Sequence, residues 1–486
     1  MVRRLSPEAV AAVALICLYL LVANGHLQSI DGLVVYRQGV SLAYHQSLHW
    51  SPPIFWGDPR TTSSYGIGLS LLYVPGLWLF SWLQPHMPVP HGNYDFSLLY
   101  SDPLWPLVGM PVQILVVAAG AYLVARLVRA LGFGTGPALW ALVLFGIGSP
   151  AIVYSRADTA QFLEGLCWIG AIYAAVRFRQ TDRQWWLWGC GIALFFALLT
   201  RPLEGLLIAP AAAVLAVPDL RPWRWTRSVW TGAAILAGWE AAAVVVTLAV
   251  NVGRFGGPLN FGSPTGWTTP LLVGLAGSLV SPARGMLWAF PAIVLVPLGL
   301  RRLWVDGHRW PAAVITILCA ALLLNVSLWT FWWGGWSWGL RLFLPALPLL
   351  AVLAAVGITA LPAGVRRWLP GVLLAGGILW AVPGTVTDIL GGYGGAYNGT
   401  DGSFRLSGYP PIGAWQFVHH LRAYFLTDSS AVDLVWLRLS RLTHNLSLIP
   451  PVLLAVACAA LLMPIRQRAR ITSVRRQPLL EATPGR

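Results

Sequence analysis

Apolar runs of about twenty residues, the span of a bilayer's hydrocarbon core, recur along the whole chain and alternate with short polar segments where arginines gather. The pattern predicts an all-α polytopic membrane protein with about 12 transmembrane helices, over 8–25, 106–126, 137–154, 159–177, 185–200, 203–217, 229–250, 285–300, 311–331, 342–361, 369–389 and 448–465. With the N-terminus in the cytoplasm and one crossing per run, most arginines fall in cytoplasmic loops, as the positive-inside rule requires. Both termini are then cytoplasmic. The run YGIGLSLLYVPGLWLFSWL (65–83) is apolar enough to cross, but counting it would reverse every later loop. It reads as a helix lying in the outer interface or dipping into it, within a long first outer loop, 26–105. The organisation expected is a catalytic transmembrane domain over 1–390, an outer capping loop over 391–447, and a last helix with a basic tail over 448–486.

Composition agrees. Hydrophobic residues make up 57% of the 486, charged residues 10%, and the mean hydropathy is +0.67, which excludes a water-soluble globular protein. A net charge of +15 in a soluble domain would point to nucleic acid, but here the basic clusters belong to loops, and no nucleic-acid partner is expected. All 32 basic residues are arginine. The five cysteines fall inside predicted spans and read as small core hydrophobes. The basic, then apolar, N-terminus reads as an uncleaved first span. Outer histidines are plentiful, yet their spacing fits no metal signature.

The unusual residues collect on the outer side. QSIDGLVVYRQG (28–39) places Asp31, Tyr36 and Arg37 at the mouth of the first run. Arg37, Arg156, Arg201, Arg254, Arg284 and Arg341 each stand near an outer span end, where topology gives no reason for a guanidinium. One alone would snorkel to lipid headgroups. Six on one face point to a shared anionic ligand, since the planar fork of arginine grips phosphate oxygens. Glu164 and Glu240 lie within spans, where an ionisable group signals either function or a buried pair. Asp58 and Asp158 are further outer carboxylates. No phosphate-binding glycine loop, dinucleotide fingerprint or nucleophile elbow is present, and the cytoplasmic loops are too short for a nucleotide-binding domain. An activated substrate must therefore arrive from the membrane or from outside.

An aspartate after the first span, then YGIGLSLLYVPG, YSR, TRPLEGLL, SPARGMLWAFP and GGWSWGLRLFLPALP in that order, resembles the bacterial polytopic glycosyltransferases of the GT-C superfamily. The nearest branch is the protein-mannosyltransferase and aminoarabinose-transferase type. The resemblance runs from about residue 28 to 348. It implies transfer of a sugar from a polyprenyl-phosphate donor to a lipid, glycan or protein acceptor hydroxyl on the outer side of the cell membrane. In that setting Asp31 is the base and Arg284, Arg341 and Arg201 contact the donor phosphate, with Tyr36, Arg37, Asp58, Arg156, Asp158 and Glu164 as further site residues. Many members carry two adjacent acidic residues where Asp31 is followed by Gly32; Asp58 or Asp158 is then the candidate for a second carboxylate. Glycosyl transfer needs a base for the acceptor proton and stabilisation of the leaving phosphate. One carboxylate and several guanidiniums supply both, so no cofactor or obligatory metal is expected, and direct attack inverts the sugar carbon.

Two other readings fit the same pattern. A transporter or flippase of lipid-linked sugars would use Glu164 and Glu240 as a proton relay, although no repeat relates the two halves of the chain. An oligosaccharide polymerase or ligase would place its chemistry late, near Arg405, His419, His420 and Arg422. The topology is directly testable. In a cysteine-free background, single cysteines at positions 31 and 341 should react with an impermeant maleimide from outside, and those at 179 and 302 only after permeabilisation. Labelling of position 302 in sealed cells would overturn the topology.

Overall fold

The computed structural model describes residues 5–50, 62–87, 99, 101–216, 227–262, 266–335, 337–387, 399–409, 412, 433–442 and 448–474. Among these the architecture is all-helical, and the β pairing amounts to one isolated bridge, Trp267 to Trp329. Helix α1 (Pro7–Leu21) starts where the Ser6 hydroxyl accepts from the Ala9 N–H and proline occupies the first turn. Helix α2 (Ile30–His45) begins the same way, with Ser29 accepting from the Gly32 N–H at 2.9 Å. It ends at Gln46 in a left-handed conformation.

Then follow α3 (Gly68–Leu79), α4 (Met110–Ala130), α5 (Thr135–Gly146), α6 (Ala160–Thr181), α7 (Trp185–Thr200), α8 (Pro202–Ala216) and α9 (Arg227–Phe255). The second half comprises α10 (Leu271–Val280), α11 (Val296–Val305), α12 (Arg309–Leu328), α13 (Leu347–Ala360), α14 (Ala363–Val386) and α15 (Ile449–Val474). Helix α13 is buried along almost its whole length and packs on α4, α5 and α11. Helix α6, also mostly buried, packs on α4, α7 and α8. The alanine-rich α9 stands at the periphery and leaves most of its surface exposed, as a lipid-facing helix can.

Among the described residues, five helical stretches are long and apolar enough to cross a membrane: 105–130, 229–255, 309–328, 341–360 and 363–386. Several shorter apolar helices accompany them. Most predicted runs coincide with helices, with three informative differences. The segment 28–39, expected as a loop, is the first part of α2: Arg37 and Gln38 interrupt its apolar residues, so it never registers as a span. The run 137–154 breaks after Gly146, and 285–300 is split into a short helix (Met286–Ala289), a 3-10 turn (Pro291–Leu295) and α11. In each, a proline follows the break (Pro150, Pro291), where its ring cannot continue the preceding helix. Helix α3, at 12 residues, reaches only about 18 Å, too short to cross alone. Asp58 and most of 391–447 lie outside the described residues.

Candidate active site

One end of the bundle gathers the starts of α2 and α6, the ends of α7 and α9, and the 3-10 helix Arg341–Ala346. Asp31 stands in the first turn of α2, where the helix dipole favours a carboxylate. Its Oδ2 forms an ion pair with Arg341 Nη2. Both side chains remain partly accessible, 30% for Asp31 and 15% for Arg341, so the pair borders open space. Arg341 Nε has no partner among the described residues. The chain reaches Arg341 through Gly334, Gly335 and Gly339, all at positive φ, a conformation that only glycine takes readily. Tyr65 hydrogen-bonds the Asp31 carboxylate and also feels the charges of Arg341 and Arg201.

Arg284 was expected at the donor phosphate, but the structure seats it beneath this loop. It is fully buried and donates to the Ser337 carbonyl, to Ser337 Oγ at 3.2 Å and to the Gly335 carbonyl at 3.1 Å. Tyr154 braces the same loop by donating to the Trp338 carbonyl at 2.8 Å. Arg284 therefore holds the segment that presents Arg341. Arg156, expected in the site, is likewise fully buried: it pairs with Asp433 and donates to the Thr385 carbonyl. Asp433 also lies 2.9 Å from His26 Nε2 and accepts from Gln28 at 3.3 Å. That cluster fixes the chain just ahead of α2.

Asp158 does approach Asp31's helix, in a supporting position. It accepts from the Gln28 N–H at 3.2 Å, the Ser29 N–H at 3.3 Å and Ser29 Oγ at 3.1 Å. Burial pushes its carboxyl up to about 6, opposed by these hydrogen bonds. Gly32 is helical, and what it supplies is room for Asp158. Glu164 pairs with Arg201 at 3.3 Å, and Arg201 also binds Glu204 at 2.6 Å. Two carboxylates thus hold Arg201. Tyr36 is buried against Tyr73 and Trp105, with its hydroxyl 3.4 Å from Asp102, and Arg37 lends Asp102 its charge. Both belong to the packing under α2.

Arg254, near the end of α9, is the best-placed arginine besides Arg341. It is 8% exposed, its Nη1 donates to the Tyr65 carbonyl at 2.8 Å, and its Nε and Nη2 have no partner among the described residues. It lines a small cavity with Thr247, Asn251 and Phe261. Tyr65 therefore touches Asp31 with its hydroxyl and Arg254 with its backbone. The apolar motif YGIGLSLLYVPG contained Tyr65, but nothing in its spacing marked this residue.

Apo ArnT from Cupriavidus metallidurans superposes on the chain with a TM-score of 0.50 at 16% identity, covering 77% of this chain and 62% of that one. The chain shares the fold of ArnT. It spans less than two thirds of the apo ArnT chain. The same protein bound to undecaprenyl phosphate gives 0.46 at 15% identity, over 85% and 77% of the two chains. The Archaeoglobus fulgidus oligosaccharyltransferase in the apo form gives 0.45 at 13%, over 78% and 55%. Residues 97–247 match the family described as dolichyl-phosphate-mannose-protein mannosyltransferase. No curated protein is significantly similar in sequence. Apolar helices of this length on that fold make the chain a membrane protein.

The support under Asp31 is open to test. Replacing glycine by alanine inside a helix ordinarily stabilises by about 0.5–1 kcal/mol. At position 32 the added Cβ would stand 1.7 Å from Asp158 Oδ2. Gly32→Ala should therefore lower the thermal midpoint of the purified protein in detergent. A raised midpoint would mean that Asp158 does not support α2.

Proposed function

We propose that the chain transfers a sugar from a polyprenyl-phosphate donor to an acceptor hydroxyl at the outer face of the cell membrane, with inversion at the sugar carbon. The observation that carries this reading is the accessible Asp31–Arg341 pair, set one tyrosine away from the incompletely partnered guanidinium of Arg254. The mannosyltransferase family matched by residues 97–247, whose named donor is a lipid phosphate sugar, supports the same chemistry.

The acceptor oxygen attacks the anomeric carbon as its proton passes to the Asp31 carboxylate. The bond from that carbon to the phosphate oxygen breaks, and polyprenyl phosphate leaves with the electron pair. Arg254 and Arg341 hold the phosphate as its charge grows. Before donor binds, Arg341 occupies the Asp31 carboxylate by pairing with it. A phosphate arriving at Arg341 competes for that guanidinium and frees the carboxylate to meet the acceptor hydroxyl. Arg201, saturated by two carboxylates, shapes the wall beside Tyr65 and leaves phosphate contact to the other two.

Release of radiolabelled sugar from a polyprenyl-phosphate donor in proteoliposomes tests the reading. Asp31→Asn should lose roughly 10²–10⁴-fold in rate while retaining donor binding. A well-folded Asp31→Asn protein with near-normal transfer would remove the base assignment. Losing one charged hydrogen bond costs about 1.5–3 kcal/mol, so Arg254→Ala should weaken donor use roughly ten- to a hundredfold. Arg254→Lys should recover only part of that, because lysine cannot grip bidentately. Unchanged donor dependence in both variants would place the phosphate elsewhere.

A further inference from the structure

The opposite end of the same helices carries a second basic site. Arg126 and Arg129 from α4, Arg177 and Tyr173 from α6, and Glu8 from α1 line a cavity of about 360 Å³. Along α6, Arg177 lies 19 positions beyond Asp158 in the sequence, about 28 Å at the helical rise. The cavity is thus remote from Asp31, and no step of the proposed transfer uses it.

Loop arginines placed only by membrane topology need neither converge nor be held. These do both. Arg126 donates to the Tyr173 hydroxyl at 3.4 Å and lies 5.8 Å from the Tyr122 ring centre. Arg177 stacks 5.4 Å from the Trp186 ring centre and donates to Gln180 at 3.0 Å, while its Nε is buried without a partner among the described residues. Arg129 stands at the rim, 45% exposed, with Glu8 3.7 Å away. Three guanidiniums face one carboxylate, an excess of two positive charges. Thr135, which opens α5, also lines the cavity, and that helix start adds the positive end of its dipole. Aromatic contacts fix the long side chains in advance, so less conformational freedom is lost when an anion binds.

We propose that this cavity binds a phosphate group, supplied either by an anionic lipid of the adjacent leaflet or by free phosphate. Basic pockets between transmembrane helices recognise phosphate headgroups by this chemistry. The fork geometry of arginine matches phosphate oxygens bidentately.

Delipidated full-length protein titrated with phosphatidylglycerol, phosphatidylcholine or inorganic phosphate, and read by native mass spectrometry, tests the site. The wild type should retain one phosphatidylglycerol in preference to phosphatidylcholine. Arg126→Gln/Arg177→Gln should need roughly tenfold more or higher, and Arg302→Gln, at an exposed pair with Asp306, should match the wild type. Should inorganic phosphate displace the lipid and raise the thermal midpoint of the wild type alone, free phosphate is the occupant and the site stands. Equal retention of lipid and equal response to phosphate in wild type and double variant would overturn it. If the double variant does not fold, Arg129→Glu at the exposed rim should show the same loss, and unchanged binding there overturns the site equally.

Discussion

A guanidinium drawn below a membrane interface must find a carboxylate or a set of carbonyls, and this end of the bundle is arranged around that requirement. Uncompensated, each buried charge would cost several kcal/mol. Arg156 meets Asp433, Arg201 meets Glu164 and Glu204, and Arg284 meets the carbonyls of 335 and 337. Apart from the local Arg201–Glu204 pair, these contacts tie together elements separated in sequence, so charge matching and tertiary assembly are the same event. Arg341 and Arg254 are matched less completely: one shares a partly exposed carboxylate, and the other uses one of its nitrogens on a backbone carbonyl. Incomplete matching at an otherwise well-compensated face is what a binding site for an anion requires.

The long-range features of the fold were legible in the chain. Runs of bilayer length located the main helices, because desolvation of the backbone forces every spanning segment to satisfy its own hydrogen bonds. Helix α2 was not legible, since its apolar residues are broken by Arg37 and Gln38 and its stability comes from packing and the Ser29 cap. The site was half legible. Asp31 and Arg341 stood out because a charge at a span end needs a reason, and the fold does pair them. Arg156 and Arg284 stood out for the same reason, yet they serve the architecture. Sequence cannot tell a guanidinium facing a ligand from one facing a carbonyl, since both arise from the same rarity of charge. Tyr65 was silent because its role lies in what it touches across the bundle.

The Asp433 cluster also sets an order on biosynthesis. His26 and Asp433 are 407 residues apart, and at about 5–20 residues per second the ribosome needs roughly 20–80 s to make the stretch between them. During that interval Arg156, once made, lacks its carboxylate, and Asp158 alone of the two aspartates holds the lead into α2. Asp31 is translated long before Asp433 completes the cluster ahead of α2. Until then the segment ahead of Asp31 and the loop that carries Arg156 lack the carboxylate that joins them.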